Sequence, residues 1–303
     1  MSIPLVSVYS TLTQTLLSRS FTASISHARN VSQWLIEKVT GKKYSFFTTQ
    51  TNITLSQEQY EYLMLLVQKL TIEKYPLQYI LETVPFGSLT LSTKPPTLIP
   101  RPETEEWCLN LIAEIQNKSS ACHETNFHIL DLCTGSGCIA LLFAQAFPKA
   151  HLYALDNAAE ALELAQHNAQ KNGLSNITFI HSDLFSQVDP SLRFDLIVTN
   201  PPYIADEECY TLDPVVRQWE DKNALVATDN GLALIRTIIQ QTPQWLNSHS
   251  FLKATTIPRL CVEIGHEQGL IVQQLFQQYG FFEIKIAKDY ANKDRMVSGS
   301  FKK

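Results

Sequence analysis

The chain has 303 residues, of which 45% are hydrophobic and 17% are charged. This length allows one large domain or two ordinary ones with a full apolar core. The formal net charge of −5 argues against a protein that coats DNA or RNA, because such proteins need a basic face. No apolar run approaches the length of a membrane span. The six cysteines lack C-x-x-C spacing, which predicts buried thiols of a cytoplasmic protein rather than zinc ligands or disulfides.

Residues 1–82 are predicted to form a small helical domain without strands. Apolar residues recur at helical spacing between Leu12 and Leu35, which favours folded helices over a targeting segment. Ser56 and Gln59 form a capping-box pattern, and the apolar stripe that follows predicts a helix through Leu70. Residues 83–98 alternate apolar and polar side chains among prolines and a glycine. This second pattern predicts a hairpin connector.

From residue 99 to residue 303 the pattern changes to alternating helices and short apolar strands. Helices are predicted at Glu103–Ile115, Ser136–Phe147 and Ala158–Asn172. The predicted strands are His128–Leu132, His151–Leu155, Ile177–Ile180, Phe194–Thr199, Arg259–Ile264, Phe281–Ala287 and Arg295–Phe301. This alternation indicates an α/β fold with a mostly parallel sheet and helices on both faces.

The first predicted strand of this region runs into a glycine turn. Asp131 lies in the strand, and Thr134, Gly135 and Gly137 follow before the next helix begins. Glycine lets the backbone turn tightly and approach a ligand closely, although a glycine turn alone is also compatible with a plain strand-to-helix connection. The segment therefore becomes informative only together with the ends of the neighbouring strands.

Two acidic residues follow the next two predicted strands. Asp156 lies about 20 residues after the glycines, where a carboxylate can accept hydrogen bonds from ribose hydroxyls. Asp183 and Leu184 follow the third strand, where Asp183 can accept from an adenine amino group and Phe185 can flank the ring. These strand ends predict a nucleoside site. S-adenosylmethionine is preferred over a dinucleotide because the turn does not complete G-x-G-x-x-G.

The fourth predicted strand ends in Asn200-Pro201-Pro202-Tyr203. Two prolines remove two backbone donors and fix two φ angles, so that carbonyl groups are held rigidly here. The Asn200 side-chain oxygen and the Pro201 carbonyl can accept the two N–H bonds of a substrate NH₂ group, and Tyr203 can stack on a planar amide or base. The tetrapeptide predicts methyl transfer to a planar amide or amino nitrogen. Its alternative interpretation is a plain loop after a strand.

Several motifs together resemble the release factor glutamine N5-methyltransferases, the HemK/PrmC family. The resemblance covers essentially the whole chain and is weakest in the first 70 residues. Cys133 departs from it, because the family usually has glycine there. The matching residues are Ile99-Pro-Arg-Pro-Glu-Thr-Glu105, Asp131 with Gly135 and Gly137, Asn200–Tyr203, Pro76–Ile80, Glu220 with Ala224 and Leu225, Gly231-Leu232, Glu263-Ile-Gly265 with Gln268, and Asp289 with Asp294-Arg295.

The resemblance implies a helical substrate-recognition domain over residues 1–82, a β-hairpin connector over 83–98 and a seven-stranded methyltransferase domain over 99–303. It implies S-adenosylmethionine as the cofactor and, as the substrate, the glutamine of the Gly-Gly-Gln loop of peptide-chain release factors. No direct binding to nucleic acid or membranes is expected. The expected catalytic residues are Asn200, Pro201, Pro202 and Tyr203. The expected cofactor-binding residues are Asp131, Thr134, Gly135, Gly137, Asp156, Asp183, Leu184, Asn200, Arg101 and Glu103, and no metal ligands are expected.

Three other functions are compatible with the same residues: methylation of a ribosomal-protein glutamine, adenine-N6 methylation of DNA or RNA, and binding of a nucleoside without catalysis. The acidic region after residue 98, with a net charge of −8, weighs against nucleic acid. The intact Asn200–Tyr203 segment weighs against binding alone. Glu103 is also interpreted as a helix-terminal carboxylate, Glu263 as a residue that orients a loop, and Trp107 as a packing residue.

Overall fold

The structure is a computed structural model that describes residues 3–19, 21–43, 45–46, 54–118, 127–248 and 257–302. The α-helices in these ranges are α1 (Leu5–Ser18), α2 (Ile25–Thr40), α3 (Gln57–Thr71), α4 (Leu77–Leu81), α5 (Pro102–Lys118), α6 (Cys138–Ala146), α7 (Ala159–Lys171), α8 (Pro214–Trp219), α9 (Ala233–Trp245) and α10 (Gly269–Gln278). The strands are β1 (Ile3–Pro4), β2 (Thr54–Leu55), β3 (Thr83–Phe86), β4 (Leu89–Ser92), β5 (His128–Leu132), β6 (His151–Asp156), β7 (Ile177–His181), β8 (Leu196–Thr199), β9 (Leu260–Glu263), β10 (Phe282–Lys288) and β11 (Asp294–Ser300).

The residues divide into two compact units. One unit contains residues 1–82 together with α8, and the other contains residues 83–213 and 220–303. The boundary at residue 82 is the one used in the sequence-based domain prediction. The grouping of α8 with the first unit was not foreseen. The roles that the prediction gave to these regions remain predictions.

The first unit has an apolar core that α1, α2 and α3 share. Leu16, Leu35 and Leu63 are fully buried in it. The predicted capping box is present, because the Ser56 hydroxyl accepts from the Gln59 amide N–H while the Gln59 side chain accepts from the Ser56 N–H. The prediction of no strand in this region is wrong. β1 and β2 pair antiparallel over two residues each, a length at which no alternation of side chains can be detected.

The second unit opens with the predicted hairpin. β3 and β4 pair antiparallel, and Gly87 in the turn adopts a left-handed φ of 58°. Asn168 of α7 fastens the end of the hairpin. Its Oδ1 accepts from the Ser92 N–H at 2.7 Å, and its Nδ2 donates to the carbonyls of Ser92 at 3.2 Å and Ser136 at 3.0 Å. One fully buried side chain therefore joins the hairpin to the glycine turn.

A seven-stranded sheet forms the centre of the second unit. The strand order is β10-β11-β9-β8-β5-β6-β7. The pairs from β9 to β7 are parallel, whereas β11 is antiparallel to both β9 and β10. Ile129 packs with α5, α6 and α7 on one face, and Leu130 packs with α9 and α10 on the other. The α/β prediction is confirmed, and the carboxyl ends of β5, β6, β7 and β8 meet at one edge.

Asn168→Ala is expected to lower the free energy of unfolding by roughly 1–3 kcal/mol, because it removes this partner from the buried Ser136 carbonyl and from part-buried backbone groups of Ser92. Asn172→Ala is the matched control. Its side chain makes equivalent bonds to Thr90 one helical turn later, at a site that water can reach. Urea denaturation measures both variants. Equal losses of unfolding free energy in the two variants would show that the buried hydrogen bonds of Asn168 contribute no more than the exposed ones of Asn172.

Candidate active site

A cavity of about 850 Å³, open to solvent, lies at the carboxyl ends of the parallel strands. Three chain segments outside the strand ends also contribute to its wall, which the sequence did not indicate. The strand-end residues are Leu132, Cys133, Gly135, Leu155, Asp156, Ser182, Asp183, Leu184, Asn200 and Pro202. The other residues are Pro96, Thr97 and Leu98 of the connector, Asn157, Ala158, Glu160 and Ala161 around the start of α7, and Asp221, Asn223, Ala224 and Leu234.

Asp131 lies beneath the cavity and is fully buried. Its Oδ2 accepts from the Thr134 hydroxyl at 2.6 Å and from the Ala140 N–H at 3.1 Å, so that it closes the turn between β5 and α6. Its Oδ1 has no hydrogen-bond partner among the described residues. Burial raises the pKa of Asp131 to about 7, and nearby Asp156 adds to the effect. The structure therefore assigns Asp131 and Thr134 to the turn rather than to the cavity wall.

Asp156 forms the edge of the cavity at the end of β6. One carboxylate oxygen accepts from the Gly135 N–H at 2.8 Å and the other from the Ala158 N–H at 2.9 Å. Burial raises the pKa of Asp156, while these backbone bonds favour its ionised form. A Cβ placed on Gly135 would meet nothing within 4 Å, so the backbone there faces open space. Each oxygen keeps a lone pair for a ligand in the cavity.

Asp183 and Leu184 both line the cavity, and Leu184 has a left-handed φ of 46°. The expectation that Phe185 flanks a ligand ring is wrong. Phe185 is buried in the core and stacks on Trp245, with ring centroids 5.3 Å apart and planes inclined by 7°. The left-handed residue turns the chain, so that the apolar side chain after it enters the core.

Gly137 and Cys133 contribute to the glycine turn in different ways. Gly137 has a φ of 84°, and a Cβ there would collide with Leu141 and Ala165, so this glycine permits close helix packing rather than ligand contact. Cys133 has a φ of 59°, which glycine adopts freely and cysteine rarely does. This conformation accounts for the glycine usually found there in the family that the chain resembles. Burial raises the pKa of the Cys133 thiol, which keeps it protonated.

The Asn200–Tyr203 segment leaves β8 at the cavity. Asn200 and Pro202 line the wall, whereas Pro201 is buried and Tyr203 lies behind the wall, half-buried. Gln268 holds the segment, because its Nε2 donates to the Tyr203 carbonyl at 2.9 Å while its Oε1 accepts from the Gly265 N–H. The Gln268 side chain therefore fixes the segment to the loop after β9.

A buried hydrogen-bond network under Asn200 was missed by the sequence analysis. Glu263, at the end of β9, accepts from the Thr104 hydroxyl at 2.7 Å and from the Trp107 indole at 2.8 Å through Oε2, and from the Tyr203 hydroxyl at 3.3 Å through Oε1. Asn200 Nδ2 donates to Thr104 Oγ1 at 3.2 Å. In the sequence, Glu263 stands out as the acidic end of an apolar strand, and Glu263 and Thr104 each lie in a motif shared with the family that the chain resembles. Nothing in the sequence shows that the two side chains meet.

Arg101 and Glu103 do not line this cavity. Arg101 Nη2 donates to both carboxylate oxygens of Glu220, at 2.8 and 2.7 Å, and Glu220 is almost fully buried. Burial raises the pKa of Glu220, and the guanidinium opposes that rise. Glu103 lies at a separate cleft between α5 and the β10–β11 hairpin. The ion pair between Arg101 and Glu220 links the start of α5 to the segment in which Asp221 lines the cavity.

Five of the six cysteines lie within the described ranges, and all five are free thiols. Cys122 lies outside those ranges. In the same part of the chain, no group of three or more His, Cys, Asp or Glu side chains is placed to hold a metal ion. None of the helices described is long and apolar enough to cross a bilayer.

Comparison with known proteins adds two family matches and a set of relatives. Residues 14–81 match the PrmC N-terminal domain, and residues 111–248 match the methyltransferase small domain. A release factor glutamine methyltransferase of Buchnera aphidicola subsp. Acyrthosiphon pisum is 34% identical over 278 residues, which cover 91% of this chain and 94% of the relative. The Escherichia coli K12 enzyme of the same name is also 34% identical and covers 90% and 92%.

The chain belongs to the release factor glutamine methyltransferase family. A Lactococcus lactis member is 38% identical over 77% of this chain and 80% of its own length. Among solved structures, the hMettl16 catalytic domain in complex with MAT2A 3′UTR hairpin 6 superposes with a TM-score of 0.52 at 16% identity, covering 83% and 86% of the two chains. At that identity the likeness shows the methyltransferase fold alone.

Asp131→Asn is expected to remove part of the pH dependence of stability. The pKa of Asp131 in the fold, about 7, lies above its value of roughly 3.9 in an unfolded chain. Its contribution to stability is thus fully present below about pH 4 and is lost as the pH rises through about 7. Urea denaturation between pH 5 and pH 8 should show wild type losing a few kcal/mol relative to Asp131→Asn. Parallel curves for the two proteins would contradict this. Glu163→Gln, at an exposed position of α7, is the control.

Proposed function

We propose that this chain transfers a methyl group from S-adenosylmethionine to the side-chain amide nitrogen of the glutamine in the Gly-Gly-Gln motif of a peptide-chain release factor. The observation that carries the proposal is the Asn200 amide, fixed at the cavity wall of a chain that matches release factor glutamine methyltransferases over about 90% of its length. A cytoplasmic location is part of the same proposal.

The cavity offers hydrogen-bond acceptors and apolar surface that fit the cofactor. The Asp156 carboxylate, at the end of β6, is available to the ribose hydroxyls, and Asp183 is available to the adenine amino group. Leu184 and Leu155 supply apolar surface for the base. The open space at Gly135 admits the ligand close to the backbone. Asp131, Thr134 and Gly137 stabilise this turn without lining the cavity. Arg101 and Glu103 also lie outside the cavity wall.

Bound in this cavity, the cofactor supplies an electrophilic methyl group. A glutamine amide nitrogen is a poor nucleophile, because its lone pair is delocalised into the carbonyl. Asn200 Oδ1 and the Pro201 carbonyl accept its two N–H bonds, which holds the nitrogen in one orientation and favours its pyramidal form. Pro202 keeps the backbone rigid, and Tyr203 packs behind the segment. Methylation replaces one of the two amide protons, which leaves to solvent, and breaking of the carbon–sulfur bond would leave the cofactor as a neutral thioether. Proximity and orientation therefore account for the reaction without a covalent nucleophile.

The helical unit is assigned to binding the body of the release factor. Residues 1–82 hold 7 Lys/Arg against 5 Asp/Glu. Large apolar side chains on this unit are also exposed, among them Val6, Ile25 and Ile72. Binding of the body would raise the effective concentration of the Gly-Gly-Gln loop at Asn200. Glycines let such a loop protrude in turns closed to other residues.

Asp156→Ala is expected to weaken binding of S-adenosylmethionine by roughly tenfold to a hundredfold, since hydrogen bonds to a charged group are worth about 1.5–3 kcal/mol. Calorimetry with the isolated protein measures the dissociation constant. Glu163→Ala removes the same charge from an exposed position of α7 and should leave the dissociation constant unchanged. An unaltered dissociation constant in Asp156→Ala would remove this carboxylate from the cofactor site.

The substrate is tested with methyl-labelled cofactor and an intact release factor. Label should appear on the Gly-Gly-Gln glutamine, and a factor with glutamate in its place should remain unlabelled because no NH₂ group is left to hold. A short peptide carrying the motif should be labelled far more slowly than the whole factor. Mass spectrometry locates the methyl group. Label on a ribosomal protein or on adenine in nucleic acid, with none on the release factor, would overturn the proposal.

A further inference from the structure

The side-chain amide of Asn200 is the last member of a hydrogen-bonded chain that starts at Glu263. Glu263 is 1% exposed, and its Oε2 receives two hydrogen bonds, from Thr104 Oγ1 and from Trp107 Nε1. Thr104 is also 1% exposed, and its Oγ1 receives a third hydrogen bond from Asn200 Nδ2. Thr104 and Trp107 lie three residues apart in the first turns of α5, which places both on the same face.

The direction of the hydrogen bonds from Glu263 Oε2 through Thr104 to Asn200 is fixed by chemistry. An indole N–H can only donate, so Glu263 Oε2 must act as an acceptor toward Trp107. The Thr104 hydroxyl has a single proton, and that proton is used toward the same oxygen. The Thr104 oxygen therefore presents only lone pairs to Asn200, and Asn200 must donate a hydrogen bond to it through its NH₂ group.

This direction does not depend on whether Glu263 carries its charge. Burial raises the pKa of Glu263, so a protonated carboxyl also has to be considered. Because Oε2 already faces two donors, a proton would lie on Oε1, which faces the Tyr203 hydroxyl at 3.3 Å. Thr104 keeps its orientation in both states, and only the bond to Tyr203 reverses.

A rotated Asn200 amide would put Oδ1 against the lone pairs of Thr104 Oγ1, and two acceptors would then face each other in a buried site. Such an arrangement is disfavoured in population by roughly tenfold to a hundredfold, because it leaves a buried polar group unsatisfied. The observed orientation leaves Asn200 Oδ1 without a competing protein donor among the described contacts. This oxygen is the acceptor that a substrate NH₂ group needs.

We propose that Glu263, acting through Thr104, is a positioning residue that fixes the Asn200 side chain with its oxygen toward the substrate and its nitrogen toward the protein. The inference rests on the proposed function in one respect, namely that Asn200 Oδ1 accepts from the substrate amide. It adds that two residues which touch neither substrate nor cofactor determine whether that oxygen is available.

The decisive variant is Thr104→Val, which keeps the shape of the side chain and removes the hydroxyl. We expect kcat for release factor methylation to fall by roughly tenfold or more, because losing one preorganised group in an active site costs on this order or above. The dissociation constant of S-adenosylmethionine should stay within about twofold. Thr104→Ser restores the hydroxyl and should recover most of kcat. Thr242→Val is the matched control, since its buried hydroxyl only bonds within α9.

A double-mutant cycle with Asn200→Ala separates positioning from general damage. If Thr104 acts through Asn200, adding Thr104→Val to Asn200→Ala should lower kcat no further. An equal loss in both backgrounds, or wild-type kcat in Thr104→Val, would overturn the proposal. Thermal unfolding checks that each variant is folded.

A measurement that needs no substrate distinguishes this proposal from the proposed function. The ¹⁵N side-chain amide resonances of Asn200 should shift in Thr104→Val and return in Thr104→Ser, whatever molecule is methylated. If these resonances do not change, the hydrogen-bonded chain is wrong even when the release factor is methylated. If the Asn200 resonances change as expected while the release factor stays unlabelled, the hydrogen-bonded chain is correct and only the substrate assignment is wrong.

Discussion

The bond between the Asp131 carboxylate and the turn after β5 is the interaction on which the rest of the site depends. Asp131 Oδ2 fixes Thr134 and the Ala140 N–H, and so determines where α6 begins. That turn also carries Gly135, whose N–H meets Asp156 of the next strand. A buried acidic group thus supports the cavity edge from below, and burial is also the reason for its raised pKa.

Much of the second unit follows from short-range patterns in the sequence. The predicted strand His128–Leu132 has the same bounds in the structure, and the other six strands differ from their predictions by a few residues at most. The central strands β5, β8 and β9 are apolar because they are covered on both faces, which makes them easy to recognise. α9 and α10 were not predicted. Each of them lies between two predicted strands, and each has an apolar face that packs on the sheet.

The candidate site was predictable where it lies at strand ends and not elsewhere. Asp156, Asp183 and Asn200 each follow a strand, so the parallel sheet alone brings them to one edge. Thr104 and Glu263 are 159 residues apart and meet only through the packing of α5 against the sheet. Phe185 shows that a position after a strand end does not by itself place a side chain at the cavity. The left-handed φ at Leu184 turns the chain, and the Phe185 ring lies in the core.

The membership of α8 in the helical unit affects how the chain can be divided. Trp219 donates through its indole N–H to the Glu73 carbonyl and packs edge-on against Tyr75. The polypeptide therefore passes between the two units three times, after residues 82, 213 and 219. No single cut separates them. A truncated chain that starts at residue 83 would keep α8 but lose the residues on which Trp219 packs, so the Trp219 indole would be left without its hydrogen-bond acceptor and its aromatic neighbour.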